Sequence, residues 1–439
     1  MLKKTVFAFV LLAFIVSACR GATPAPEPAA VPTEAASPTA TEAAQPTSIP
    51  TVTQTAVPIV FPKIDRHPEP WETIFGKITE VPKYDPESMD QWQMDFRSYD
   101  ASALDLRNSL DDLLFASFDD KTIWPPDDKM PKGFDWKRIM EIGKNPGLGM
   151  ESLHAEGVTG KGVGIAIIDQ TLLVDHQEYA DRIRLYEETE DIQGGWMMAS
   201  MHGPAVASIA AGKTVGVAPE ADLYFIANVF CVKVYPDDPL DFSCLAKSVR
   251  RIIEVNRQLP AGGKIRVLSM ATGWGPESKG YAEIQSAVQE ARDAGIFIIC
   301  SSERSIYGLD FHGLGRPPLS DPDISESYGP GLWWTEDFFQ GVDKLSDTLL
   351  VPMDSRTTAS PTGNDEYVFY REGGWSWSIP YIAGMYALAA QVKPDITPYL
   401  FWSTALATGR TIEIQHEGKA YSFGTILDPA ALIRTLQGL

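Results

Sequence analysis

Five apolar runs do most to limit what this 439-residue chain can become: 163–168 (VGIAII), 222–228 (DLYFIAN), 265–271 (IRVLSMA), 295–300 (GIFIIC) and 347–352 (DTLLVP). Each is short enough for a strand and too uniformly apolar for a strand with one wet face, so each reads as buried on both sides. Helical patterns fall between and after them, near 203–211, 244–257, 280–293, 378–391 and 396–407. Asp428-Pro429 then supplies an N-cap and a first-turn proline for a last helix to about Gln437. Strands alternating with helices give a mainly parallel sheet covered on both faces, an α/β fold of three layers. In such sheets chemistry gathers outside the carboxyl ends of the strands, so the residues that follow each run are the ones to inspect.

Charge and motif content narrow the function. With 37 Lys+Arg against 58 Asp+Glu the formal charge is −21, which argues against nucleic acid as a partner, because a phosphate backbone needs clustered positive charge. The cysteines at 19, 231, 244 and 300 are too few and too scattered for a disulfide scaffold or a four-cysteine zinc site. His67, His154, His176, His202, His312 and His416 are equally dispersed, and no HExxH, P-loop or GxGxxG occurs.

The amino-terminal segment reads as an address. Met1-Leu-Lys-Lys is a short basic stretch, and residues 6–16 form an apolar run too short to span a bilayer, the pattern of a secretory signal over residues 1–18. Val16-Ser17-Ala18-Cys19 resembles the lipobox of bacterial lipoproteins, which implies a lipid on Cys19 and a mature chain anchored to a membrane. Residues 19–60 are mostly Ala, Pro, Thr, Ser and Glu, which cannot offset the entropy of ordering and suit a semi-stiff tether. The expected location is the cell envelope, on the outer side of the membrane, or the secreted fraction. Residues 61–150 are rich in Trp, Asp and Pro. A five-residue rhythm places Phe96, Ala101 and Leu106 at matching positions, but the expectation is an irregular extension or a pro-segment rather than a repeat module.

Three strand or helix ends carry candidate chemistry. Asp169 directly follows the first run, His202-Gly203 opens the small-residue helix PAVASIAAG, and Gly373-Gly374-Trp375-Ser376-Trp377-Ser378 leads into a helix with an early proline. The glycines permit a sharp turn or close approach. Ser378 competes as N-cap, leaving Ser376 free beside exposed helix N–H groups. Each of these residues alone reads equally as a cap or turn residue.

Taken in order, the segments GVTGKGVGIAIID (157–169), HGPAVASIAAG…VGVAPEADLY (202–224) and GWSWSIPYIAG (374–384) resemble the motifs of the subtilisin-like serine proteases, over roughly residues 147–437. The resemblance implies a peptidase domain at 151–439, peptide or protein substrates, and a triad of Asp169, His202 and Ser376; His176, in DHQEY, is then structural. It departs from the family at the oxyanion asparagine. The stretch after 295–300 offers Arg304 or Ser302 as donors, or Glu303, which would repel. Two readings follow: an active endopeptidase, or an impaired fold that binds peptides without cutting them. A solute-binding lipoprotein would need two similar lobes, and no internal duplication is visible.

Gly273-Trp274-Gly275 matches the family's substrate-pairing strand, so these residues are cleft candidates; Trp274, Trp333, Trp334, Trp375 and Trp377 read equally as a cleft lining or as core. Cys231 and Cys244 could form a disulfide in an exported chain. Cys300, ending a strand, reads as a small buried residue. No cofactor or metal is expected; calcium is known among relatives, but Asp127-Asp128 and Asp237-Asp238 read as solvated acidic surface.

Overall fold

The computed structural model describes residues 58–71, 75–86, 88, 90, 92–189, 197–228, 241–342, 345 and 347–439. The proposed signal, the lipidation residue Cys19, nearly all of the tether, Cys231 and Asp237-Asp238 lie outside them. Ile59–Leu439 form one unit.

Its main strands are β1 (Lys63–Ile64), β2 (Phe118–Asp119), β3 (Gly164–Asp169), β4 (Ile183–Glu188), β5 (Asp222–Ala227), β6 (Ile265–Met270), β7 (Phe297–Cys300), β8 (Asp310–Gly315), β9 (Thr348–Pro352), β10 (Arg356–Ala359), β11 (Tyr367–Tyr370), β12 (Arg410–His416) and β13 (Lys419–Ile426). The helices that matter here are α1 (Trp136–Lys144), α2 (Met150–Ala155), α3 (His202–Ala211), α4 (Phe242–Gln258), α5 (Tyr281–Asp293), α6 (Trp375–Val392), α7 (Pro398–Thr408) and α8 (Pro429–Gln437).

The six-stranded sheet runs β1-β4-β5-β3-β6-β7, every neighbour parallel. All six residues of central β3 are buried, which is why its sequence shows no polar alternation. Helices α3 and α6 pack on each other and against β3 and β6, while α4 and α5 pack on each other and against β3 and β7 on the opposite face. The three-layer α/β expectation holds. Helix α3 is buried at nine of ten positions and α6 at fourteen of eighteen, so both are apolar all round, as core helices must be. Their crossing is close because Gly384 has no side chain: a Cβ there would stand 2.6 Å from Val217 and 2.9 Å from the Ala210 carbonyl oxygen. A second sheet places β8, β9 and β13 in parallel neighbourhood, with β12 antiparallel at its edge. The last helix begins as expected, with the Asp428 carboxylate accepting from the Ala431 N–H at 3.0 Å.

The region ahead of the sheet is an extension with little regular secondary structure, as expected, and its five-residue rhythm is a stack of turns. Phe96, Ala101 and Leu106 are each fully buried in one apolar cluster. The carbonyls of these three accept from the N–H groups of Tyr99, Leu104 and Ser109, closing three successive turns. Their own N–H groups donate to Ser117, Ile123 and Lys129 of the next layer. One residue earlier, Asp95, Asp100 and Asp105 each accept from the N–H two residues on. The five-residue spacing thus delivers one aspartate corner and one inward side chain per turn.

The stack is joined to the body. Its β2 pairs antiparallel with β11, making a three-stranded β10-β11-β2 sheet. Its cluster takes in Val215, Tyr367 and Phe369 from the body. At the other end β1 adds an edge strand to the main sheet beside β4.

Candidate active site

Asp169 is the last residue of β3 and is 2% exposed. One of its carboxylate oxygens accepts from His202 Nδ1 at 2.6 Å and from the Gln170 N–H at 2.8 Å. The second acceptance fixes the carboxylate's rotation; the first fixes the imidazole tautomer with the proton on Nδ1, leaving Nε2 as the acceptor.

His202 opens α3, and the backbone behind it is held tightly. Ser200 Oγ accepts from the Gly203 N–H at 3.0 Å and donates to the Thr171 carbonyl at 3.0 Å. Ser200 thereby ties the start of α3 to the loop that follows Asp169. Gly203 is required there, since a Cβ would stand 2.5 Å from the Thr171 carbonyl oxygen and 2.6 Å from that of Gln170. Sequence reasoning missed Ser200; the available signal was a hydroxyl residue three positions before the glycine, at capping distance.

Ser376 is the second residue of α6 and is half-buried. The two preceding glycines serve different needs. A Cβ on Gly373 would come within 2.6 Å of the Met353 carbonyl oxygen, and Gly374 adopts φ 134°. The N-cap is Gly374, so the expectation that Ser378 caps the helix fails: Ser378 is buried, and its hydroxyl has no partner among the described residues. The first N–H groups of a helix lack intrahelical acceptors, and of those near Ser376 that of Trp377 donates to the Gly374 carbonyl at 2.9 Å. The Ser376 N–H remains at the positive end of an 18-residue helix.

Aromatic rings link the serine's neighbours to the histidine. The Trp377 ring meets His202 edge-on at 5.5 Å and Tyr370 at 5.0 Å. On the other side of Ser376, Trp375 packs against Phe311, His312 and Trp333 at 5.5, 5.6 and 5.7 Å. Burial pushes the His312 imidazole down to about 3, so it is neutral here. The structure thus joins Asp169 to His202 directly and brings His202 against the residue beside Ser376. Among the described residues no hydrogen bond links Ser376 to His202.

The oxyanion candidates are committed elsewhere. The Arg304 side chain is 83% exposed and pairs with Asp310 at 3.2 Å. Ser302 Oγ accepts from the Trp274 N–H at 2.8 Å and donates to the Trp274 carbonyl at 2.9 Å, bracing the strand end. Glu303 turns inward, accepting from the Cys300 N–H at 3.0 Å, and burial raises its carboxyl far above the usual range. Burial thus disfavours the charged form that would repel an oxyanion.

Trp274 is buried against Phe242 in the main core, while Gly273 packs against Ser301 and Ser302 and Gly275 lies against Glu277. Of the five cleft-candidate tryptophans, Trp333 is the exposed one, at 42%. Cys244 is disulfide-bonded, and its expected partner Cys231 lies outside the described residues. Cys300 is free and buried. His176 is fully buried and bonds the Glu366 carbonyl at 2.8 Å, a structural position. Among the described residues no group of three or more His, Cys, Asp or Glu side chains could hold a metal ion.

Parts of this chain are similar to known proteins. Residues 160–303 match the subtilase family model, a span that contains Asp169 and His202 and ends before Ser376. A 92-residue stretch is 37% identical to the subtilisin-like protease PopC of Myxococcus xanthus (strain DK1622), covering 18% of this chain and 19% of that relative's length. Among solved structures, the prenylagaramide maturation protease PagA aligns with TM-score 0.44 and 16% identity, over 66% of this chain and 99% of its own. A protease from Pseudoalteromonas arctica aligns with TM-score 0.45 and 17% identity, over 67% of this chain and 95% of its own. Around its strand-end aspartate and helix-opening histidine, residues 160–303 of this chain are similar to the subtilases, the subtilisin-like proteases.

Proposed function

We propose that the chain is an exported serine endopeptidase, anchored by a lipid on Cys19, with Asp169, His202 and Ser376 as its triad. The observation that carries the reading is the 2.6 Å Asp169–His202 bond at the mouth of α3. An imidazole oriented in this way can take the Ser376 proton as the hydroxyl attacks a peptide carbonyl, then pass it to the leaving amine. Asp169 stabilises the imidazolium that forms between those steps. The tetrahedral oxyanion is received by the Ser376 N–H at the helix start, with fewer donors than the family uses. The substrate is a peptide or protein chain, and the membrane is met through the lipid rather than by a span. No helix among the described residues is long and apolar enough to cross a bilayer.

A fluorophosphonate probe tests this. Covalent labelling should disappear in Ser376→Ala and slow by at least about 10³-fold in His202→Ala. A folded wild-type protein that never labels would overturn the enzyme reading in favour of a peptide-binding module. Palmitate incorporation lost in Cys19→Ala, and retained in Cys300→Ala, tests the anchor.

A further inference from the structure

We propose that Asp354 is a positioning residue for the nucleophile, one buried carboxylate tying the turn ahead of Ser376 to the loop that carries Trp333 and Trp334. The proposal rests on the hydrolase reading above for its kinetic consequence, though not for the tie itself. Asp354 follows β9 and is 1% exposed. One oxygen accepts from the Gly373 N–H at 2.8 Å, and the other accepts from the Leu332 N–H at 2.8 Å. Its own backbone is fixed, because the N–H groups of Met353 and Asp354 both donate to the Leu314 carbonyl at the end of β8, at 3.1 and 3.0 Å.

The two loops held by this carboxylate also touch through their rings. Trp333 meets Trp375 at 5.7 Å, and Trp334 lies 3.9 Å from His312, which contacts Trp375 in turn. Trp334 Nε1 and the Gly331 N–H both bond the Gly313 carbonyl, so the tryptophan loop is a rigid abutment. Gly373 stands three residues before Ser376 and Gly374 swings the chain into α6, so whatever holds Gly373 sets where the helix begins.

An ionised carboxylate suits this best. It accepts on both oxygens at once, whereas an asparagine would accept on one side and face a second N–H with its own NH₂. The charge is expensive to bury: desolvation pushes the Asp354 carboxyl up to about 6, and the nearby Arg371 guanidinium opposes that rise. Glu372 also faces the group, its own carboxyl raised to about 7 by burial and by Asp354, and the Tyr84 phenol senses the same charge.

The decisive variant is Asp354→Asn, which keeps the volume and removes one tie. Amide hydrogen exchange should accelerate at the Gly373 and Leu332 segments. Fluorophosphonate labelling and kcat should fall about 10- to 100-fold with KM moved less than about threefold, the signature of a misplaced reacting group in a folded protein. Unchanged exchange at both segments overturns the tie, and this holds even if the wild type never labels, an outcome that strikes the hydrolase reading instead. Faster exchange with labelling within about threefold of wild type overturns the positioning role. Should Asp354→Asn fail to fold, Gly373→Ala serves, since its Cβ must push the turn off the Met353 carbonyl. Wild-type labelling by that variant overturns the proposal.

Discussion

In β3 six consecutive buried residues pair with neighbours on both sides, and the strand's stability comes from apolar area removed from water. In the stack around Phe96, Ala101 and Leu106, each turn instead spends a carboxylate on its own backbone and offers one side chain to the core. Strand β3 carries its one polar residue at its end, where Asp169 sits. The stack carries polar residues at every corner and is apolar only in its narrow interior. A region of the first kind can hold a reacting carboxylate at a fixed point. One of the second kind can buttress, and it does so through β2 against β11, the strand that runs toward the nucleophile turn. The seam is chemically specific: Ser117 Oγ accepts from the Arg371 N–H at 3.0 Å, and the Leu114 carbonyl accepts from Arg371 Nε at 2.9 Å. Arg97, in the first turn of the stack, lies over the Tyr370 ring at 5.1 Å and reaches Met201, the neighbour of His202.

The comparison breaks most visibly at Phe118. This fully buried ring packs at 5.1 Å from Phe369 across the seam and at 5.5 Å from Trp124 within the stack. Phe118→Ala should cost about 3–5 kcal/mol of stability. Because both sides of the seam lose the contact, unfolding should stay a single transition, followed by calorimetry. A separate early transition that leaves fluorophosphonate labelling intact would mark the stack as an independent module. A smaller loss is expected at a corner. Asp95 holds Arg97 through two bonds, at 2.7 and 2.8 Å, and Asp95→Asn should cost about 1–3 kcal/mol in chemical denaturation, where an equal loss from Asp95→Glu would discount the geometry.

The smallest effect is at the seam's end and depends on pH. Glu372 keeps its proton to about 7 in the folded chain, well above the ordinary glutamate value, so between those values the folded state binds the extra proton. Stability from this group therefore falls as pH rises toward 7, and the full penalty stands above it. Glu372→Gln should raise the melting temperature by about 1–3 °C at pH 8.5 and leave it unchanged at pH 4. A gain of equal size at both values would rule out this origin.

Much of the body was legible because its signals are local. The run read as a strand at 163–168 forms Gly164–Asp169, and the last helix starts where Asp428-Pro429 placed it. Strand β4 escaped notice because Arg184, Glu187 and Glu188 interrupt its apolar residues. Those acids are satisfied from afar, Glu187 by Arg251 and Lys63 and Glu188 by Arg66, and no local pattern reveals a partner more than sixty residues away. The β12–β13 hairpin did have a signal. Glu417-Gly418 between alternating residues adopts φ 49° and 75°, the pair of positive angles a tight hairpin turn demands. At the candidate site, Asp169 and His202 stood at element ends, but it was the ordered set of family-like motifs that paired them. Asp354 was missed: it resembles any aspartate after a strand until folding sets two remote N–H groups against its oxygens.

Helix α6 holds the candidate nucleophile at one tip and is enclosed by the core along nearly all of its length. A rod gripped in this way has no slack of its own, so Ser376 shares the stiffness of the surrounding packing, and loosening anywhere along the shaft is carried to the tip. Core substitutions several turns distant, at Tyr386 against Phe297 for instance, become a means of tuning how readily that hydroxyl moves with temperature. In this molecule the working temperature of the chemistry would be written into the interior, at residues that touch no substrate.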